Sequence, residues 1–159
     1  MSFNTQALCQ QLAEQLLTLK LRLVTAESCT GGGVAAACTD LAGSSQWFEC
    51  GFVTYSNDAK MRDLAVPAAV LEQHGAVSGE AVRAMVSGAA RYGDVAVAVS
   101  GIAGPGGAVP GKPVGTVWFA CGNAAEQLVE CCHFTGDRTA IRQASVDFAL
   151  GLILKYLDK

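Results

Sequence analysis

Apolar residues return at helical spacing at Leu8, Leu12, Leu16 and Leu19, which predicts an amphipathic helix over 5–20 opened near Thr5. The pattern then shortens. Arg22 to Ala26 predicts a strand that runs into Glu27-Ser28-Cys29-Thr30-Gly31-Gly32-Gly33, and the alanine-rich segment Val34 to Thr39 predicts a helix packed closely on a sheet. Gln46 to Tyr55, rich in aromatic and β-branched residues, predicts a second strand. Ser56-Asn57-Asp58 suits the cap of a short helix containing Lys60, Pro67 the first turn of another, and Ser78 the start of a longer one running to about Tyr92. Asp94 to Ser100 alternates Val and Ala as a buried central strand does. Beyond a Gly/Pro-rich loop at 101–113, Val114 to Cys121 and Gln127 to Phe134 predict two strands. The link between them, Gly122-Asn123-Ala124-Ala125, is short enough for an antiparallel hairpin. Thr135-Gly136-Asp137 opens a final helix with Ile141, Phe148 and Leu152 on its inner face.

Strand-helix alternation with one hairpin implies an α/β fold, a three-layer α/β/α arrangement around a mixed sheet of about five strands. Ligand sites in such sheets lie at the carboxyl ends of the parallel strands. The glycine-rich loops 28–33 and 101–111 both follow predicted strands, so they are expected at one edge. Nine of the 18 glycines fall in 31–33 and 101–115.

Composition narrows the partners. The chain has 159 residues, 51% hydrophobic and 16% charged, enough for a single domain over 1–159 that buries roughly 68–70% of its unfolded surface without staples. A formal net charge of -3 with 11 scattered Lys and Arg offers no basic stripe for a phosphate backbone, so no nucleic-acid partner is expected. Met1 to Gln6 lacks the basic start and apolar run of a signal peptide, and the uncharged stretch Val95 to Gly111 is broken by glycines and prolines. Neither export nor a membrane span is expected, and the expected location is the cytoplasm. The seven cysteines show no C-x-x-C spacing and read as small buried thiols in a reducing compartment.

Ser28 stands where a strand turns into a helix, ahead of Thr30-Gly31-Gly32, whose amides suit an anion or a developing oxyanion. A tight crossing with a capping hydroxyl accounts for the same residues equally well. The usual serine partner, histidine, occurs only at His74 and His133, in neither case in an evident basic position. Lysine is another activator of serine, and Lys60 follows the second strand closely; a solvated surface lysine is the plain alternative. At an ordinary pKa of ~10.4 an amine is neutral about once in a thousand molecules near pH 7.4, so activation requires burial. Tyr55 could relay or donate a proton, or simply pack. Cys29 is the rival nucleophile, ranked below Ser28 for want of a histidine. Arg138 and Arg142, one helical turn apart, either grip an anion in a fork or bond loop carbonyls. The loop from Ser100 to Gly107 has the glycine density of a binding loop or of a series of turns.

Together these segments resemble the CinA C-terminal domain family, in particular its stand-alone members, the nicotinamide-nucleotide amidases, from about residue 5 to 157. The resemblance lies in Thr25-Ala26-Glu27-Ser28-Cys29-Thr30-Gly31-Gly32, Gly43-Ser44-Ser45, Gly51-Phe52-Val53-Thr54-Tyr55-Ser56-Asn57 and Ala59-Lys60. It continues in His74-Gly75-Ala76-Val77-Ser78, Ser100-Gly101-Ile102-Ala103-Gly104-Pro105, Lys112-Pro113-Val114-Gly115-Thr116-Val117 and Gly136-Asp137-Arg138. No segment corresponds to the larger N-terminal domain of full-length CinA proteins. The resemblance implies an anticodon-binding-like fold and hydrolysis of the carboxamide of nicotinamide mononucleotide to nicotinate mononucleotide and ammonia. It further implies a serine-lysine mechanism without metal or organic cofactor, and a homodimer or higher homo-oligomer. Carried over by residue, Ser28 is the nucleophile, Lys60 its base and Tyr55 a helper near both. Thr30, Gly31 and Gly32 supply oxyanion or ligand amides. Ser44, Ser45, Ser100, Gly101, Gly104, Gly106 and Arg142 are the residues expected to grip the nucleotide. The alternative for the same fold is a non-catalytic nucleotide-binding or regulatory module.

Overall fold

The computed structural model describes residues 2–159. Five strands, β1 (Leu23–Glu27), β2 (Phe48–Val53), β3 (Val95–Gly101), β4 (Thr116–Gly122) and β5 (Gln127–His133), form one sheet in the order β2-β1-β3-β4-β5. The pairs β1/β2 and β1/β3 are parallel, whereas β3/β4 and β4/β5 are antiparallel, which is the mixed sheet with one hairpin that the sequence predicts.

Among the described residues six helices cover the two faces: α1 (Phe3–Leu19), α2 (Gly33–Thr39), α3 (Asn57–Leu64), α4 (Ala68–His74), α5 (Gly79–Ala89) and α6 (Arg138–Leu157). Period-2 alternation sorts each strand between two cores. Val95, Val97, Val99, Val117 and Phe119 face Leu12, Leu16, Ile141 and Leu150 of α1 and α6. Val24, Ala26, Ala96, Ala98 and Ala120 face Leu64, Val82, Met85 and Val86 of α3 and α5. On that second face the small alanines let α5 sit close to the sheet.

Helix ends follow local chemistry. Ser56, Ser78 and Asp137 cap α3, α5 and α6 through their side-chain oxygens, as expected of those residues. Two ends differ from the sequence reading. Ser2, not Thr5, caps α1; Thr5 lies inside the helix with its hydroxyl on Asp147. Pro67 stands just before α4, at the cap position, where its extended backbone precedes the first turn. The helix begun at Ser78 ends at Ala89 and tightens into a 3-10 turn over Ala90–Tyr92. Among the described residues no helix is long and apolar enough to cross a membrane.

Candidate active site

Because β1, β2 and β3 run the same way, the segments leaving them meet at one edge. The crossing is tight: the Ser28 amide donates to the Val99 carbonyl at 2.9 Å and the Thr54 amide to the Glu27 carbonyl at 2.9 Å. The two glycine-rich loops therefore do share the carboxyl edge. Ser28 leaves β1 and turns through Gly31 (φ 61) and Gly32 (φ 99), left-handed conformations that favour glycine.

Glu27, a residue of the Thr25–Gly32 motif with no catalytic role evident from the sequence, organises this turn. Its side chain is fully buried, and its carboxylate accepts from the Thr30 hydroxyl (2.6 Å), the Val34 amide (2.8 Å) and the Ala35 amide (3.0 Å). A carboxylate at a helix start satisfies amides that have no partner within the helix and is attracted by the positive end of the dipole. The signal was available: a charged residue directly after an apolar strand and ahead of Thr-Gly-Gly.

Lys60 completes the centre. The cap by Ser56 starts α3 so that Lys60, in its first turn, points back under the sheet edge and is fully buried. Its Nζ lies 3.0 Å from Ser28 Oγ, 2.6 Å from the Thr54 carbonyl and 3.1 Å from the Tyr55 carbonyl. No carboxylate among the described residues pairs with it. Burial accordingly lowers its pKa from the ordinary 10.5 to about 8, with Cys29 opposing weakly. The partner set fits the neutral amine: two N–H groups for two carbonyls, and one lone pair for the Ser28 hydroxyl proton. That geometry is what a general base for a serine nucleophile requires.

Cys29, the rival nucleophile, is buried, and burial pushes its thiol up to about 11. At neutral pH it is a protonated thiol, which is poorly nucleophilic. His74 sits at the end of α4 beside Glu80, and His133 ends β5. Neither hydrogen-bonds Ser28 among the described residues.

The remaining expected residues divide. The Thr30 and Gly32 amides have no acceptor among the described residues, whereas the Gly31 amide donates to the Ser28 carbonyl at 3.0 Å. Gly31 is thus spent on the turn itself. Tyr55 brings its carbonyl to Lys60, but the residue is 61% exposed and its phenol accepts from Arg138 at 3.2 Å rather than joining Ser28. Arg142 donates to the Cys29 and Thr30 carbonyls, both at 3.1 Å. It also lines a groove with Thr30, Gly33, Asp40 and Thr139. Arg138 donates to the Gly104 carbonyl at 2.8 Å. Both arginines therefore bond loop carbonyls, the plainer of the two sequence alternatives, while keeping unused N–H groups at the rim.

Ser100 is buried at the end of β3. Gly101 is small because a Cβ there would meet Val117 Cγ2 at 2.6 Å and the Thr116 carbonyl oxygen at 2.9 Å. Gly104 has φ 81, whereas Gly106 is exposed and a Cβ on it would meet nothing within 4 Å. Ser44 and Ser45 are not brought to this site. They form a 3-10 turn ahead of β2, and the Ser45 carbonyl accepts from Arg22 at the start of β1. Residues that precede a parallel strand lie at the amino edge, so these serines stand a strand's length from Ser28. Among the described residues no group of three or more His, Cys, Asp or Glu is placed to hold a metal.

The family model of the CinA C-terminal domain matches residues 5–157. The nicotinamide-nucleotide amidohydrolase PncC of Pseudomonas putida is 51% identical over 150 residues, covering 93% of this chain and 94% of its own. The protein of the same name from Escherichia coli K12 is 51% identical over 155 residues, covering 92% and 93%. In structure, the competence/damage inducible protein CihA from Agrobacterium tumefaciens superposes with a TM-score of 0.92 at 40% identity, over 100% of both chains. The protein is a member of the CinA C-terminal domain family.

Proposed function

We propose that this chain is a nicotinamide-nucleotide amidase that hydrolyses nicotinamide mononucleotide to nicotinate mononucleotide and ammonia through Ser28 and Lys60. The observation that carries the reading is the buried amine without a carboxylate partner, 3.0 Å from Ser28 Oγ. Relatives of matching length that bear the name nicotinamide-nucleotide amidohydrolase support the substrate.

Neutral Lys60 takes the Ser28 proton as Oγ attacks the carboxamide carbon, and the oxyanion forms against the Thr30 and Gly32 amides. Collapse of this intermediate breaks the C–N bond. The ammonium of Lys60 returns its proton to the leaving nitrogen, which departs as ammonia, and the acyl group of nicotinate mononucleotide, its ribosyl phosphate still attached, remains as an ester on Ser28. Water then loses a proton to Lys60, attacks the ester and releases the carboxylate, and Ser28 regains its proton. A pKa of about 8 leaves roughly a fifth of Lys60 neutral near pH 7.4, against about one in a thousand for an ordinary lysine. The substrate phosphate is met by the free N–H groups of Arg142, a local cation on an acidic protein.

Incubation of the purified chain with nicotinamide mononucleotide tests the reading. Equimolar ammonia and nicotinate mononucleotide are expected from wild type, with turnover lost and binding largely kept in Lys60→Met. Binding of the nucleotide without ammonia release would instead establish the non-catalytic module.

A further inference from the structure

Arg138 and Arg142 lie one turn apart at the start of α6, both at the site edge. Like charges at this spacing repel, and cations at a helix start oppose its dipole. The first turn carries no acidic residue, Asp137 spends its carboxylate on the Ala140 amide, and among the described residues neither arginine forms an ion pair. Two cations held only by neutral acceptors at the mouth of a reactive centre are complementary to an anion. Of their acceptors the Tyr55 phenol is the one at the surface, reached at 3.2 Å. Tyr55 is also tied to the centre at its other end, where its carbonyl takes a hydrogen bond from Lys60.

We propose that Arg138 is a specificity-determining residue that reads the substrate phosphate, and that in doing so it exchanges the Tyr55 phenol for phosphate and frees that phenol to turn over Ser28 and Lys60. A phosphate oxygen brings an opposite charge to the guanidinium, where the phenol is a neutral acceptor, so the exchange favours the nucleotide. The Gly104 bond holds the guanidinium in place while its other nitrogen changes partner. A substrate without phosphate leaves the phenol with Arg138. Phosphate is thereby coupled to turnover as well as to binding. The inference rests on the amidase reading above.

The test compares ammonia release from nicotinamide mononucleotide and from nicotinamide riboside, which lacks the phosphate, in wild type, Arg138→Met, Arg138→Lys and Tyr55→Phe. In wild type the phosphate raises kcat and lowers KM. Arg138→Met cuts the ratio of kcat/KM for nucleotide over riboside by about 10- to 100-fold, the weight of a hydrogen bond to a charged group. The same variant raises kcat on the riboside, because the phenol is free from the start, and Arg138→Lys restores part of the ratio. Tyr55→Phe removes the kcat advantage of the nucleotide while keeping its KM advantage, a split that a purely structural tyrosine would not give. An unchanged ratio in Arg138→Met, or equal losses on both substrates, would overturn the inference while wild-type activity on the nucleotide upholds the amidase reading. No ammonia from the nucleotide in wild type would overturn that reading itself, and the inference with it.

Discussion

Replacing Lys60 by methionine removes a buried amine from the fold, and the pH dependence of the resulting stability difference is set by its environment. The folded pKa is about 8 against an ordinary 10.5, so the folded state binds the proton more weakly than the unfolded chain. Below the folded value this costs about 3 kcal/mol, at 1.36 kcal/mol per pH unit. Between the two values the unfolded chain holds more protons, so wild-type stability rises with pH relative to the variant. From about pH 7 to about pH 9.5 the wild type gains about 2 kcal/mol on Lys60→Met. Urea unfolding of both proteins at the two pH values measures the difference, and titration of groups common to both largely cancels. A difference that does not change with pH would show that Lys60 is not held neutral by burial. A difference that shrinks as pH rises would show a lysine stabilised as a cation.

The same group governs the rate. kcat/KM on nicotinamide mononucleotide should rise tenfold per pH unit on the acid side and level off near pH 8, the Lys60 value; a profile flat across this range would remove Lys60 as the base. Glu27→Ala strands three donors in the interior and should cost about 3–5 kcal/mol in urea unfolding. Glu27→Gln, which keeps an acceptor, should lose less, and an alanine variant as stable as wild type would refute the role given to Glu27. Gly106→Ala faces open space and should change stability by less than about 0.5 kcal/mol. Gly104→Ala, at φ 81 with a Cβ 2.5 Å from Val114 Cγ1, should be destabilised by ~1–3 kcal/mol; equal thermal midpoints for the two variants would contradict this.

Residues whose role is set by their near neighbours in sequence were legible. The Val/Ala alternation of 95–99 announced a strand buried on both faces, and Ser56, Ser78 and Asp137 announced helix starts because each bonds an amide three residues on. The meeting of the two glycine loops followed from parallel strand direction. Long-range partners were not legible. Nothing local to Arg138 says that its guanidinium reaches Gly104 and Tyr55, and nothing local to Tyr55 separates the reach of its carbonyl from that of its phenol. The family pattern points to Ser44 and Ser45 as site residues, whereas their position before β2 places them at the far edge. Lys60 and Ser28, 32 residues apart in sequence, pair as candidates because lysine can activate serine and because the family pattern holds both, but a solvated lysine fits the sequence too; only the fold shows the amine buried between two carbonyls and a hydroxyl.

In the proposed reaction Ser28 carries the acyl group. Rapid quenching of the wild-type protein during turnover of nicotinamide mononucleotide, followed by peptide mass spectrometry, should find Ser28 esterified by the acyl group of nicotinate mononucleotide, with the ribosyl phosphate still attached. Ser28→Ala should release no ammonia and carry no ester, while Cys29→Ala should retain both. An acyl group on Cys29, or ammonia release that survives Ser28→Ala, would show that Ser28 is not the nucleophile.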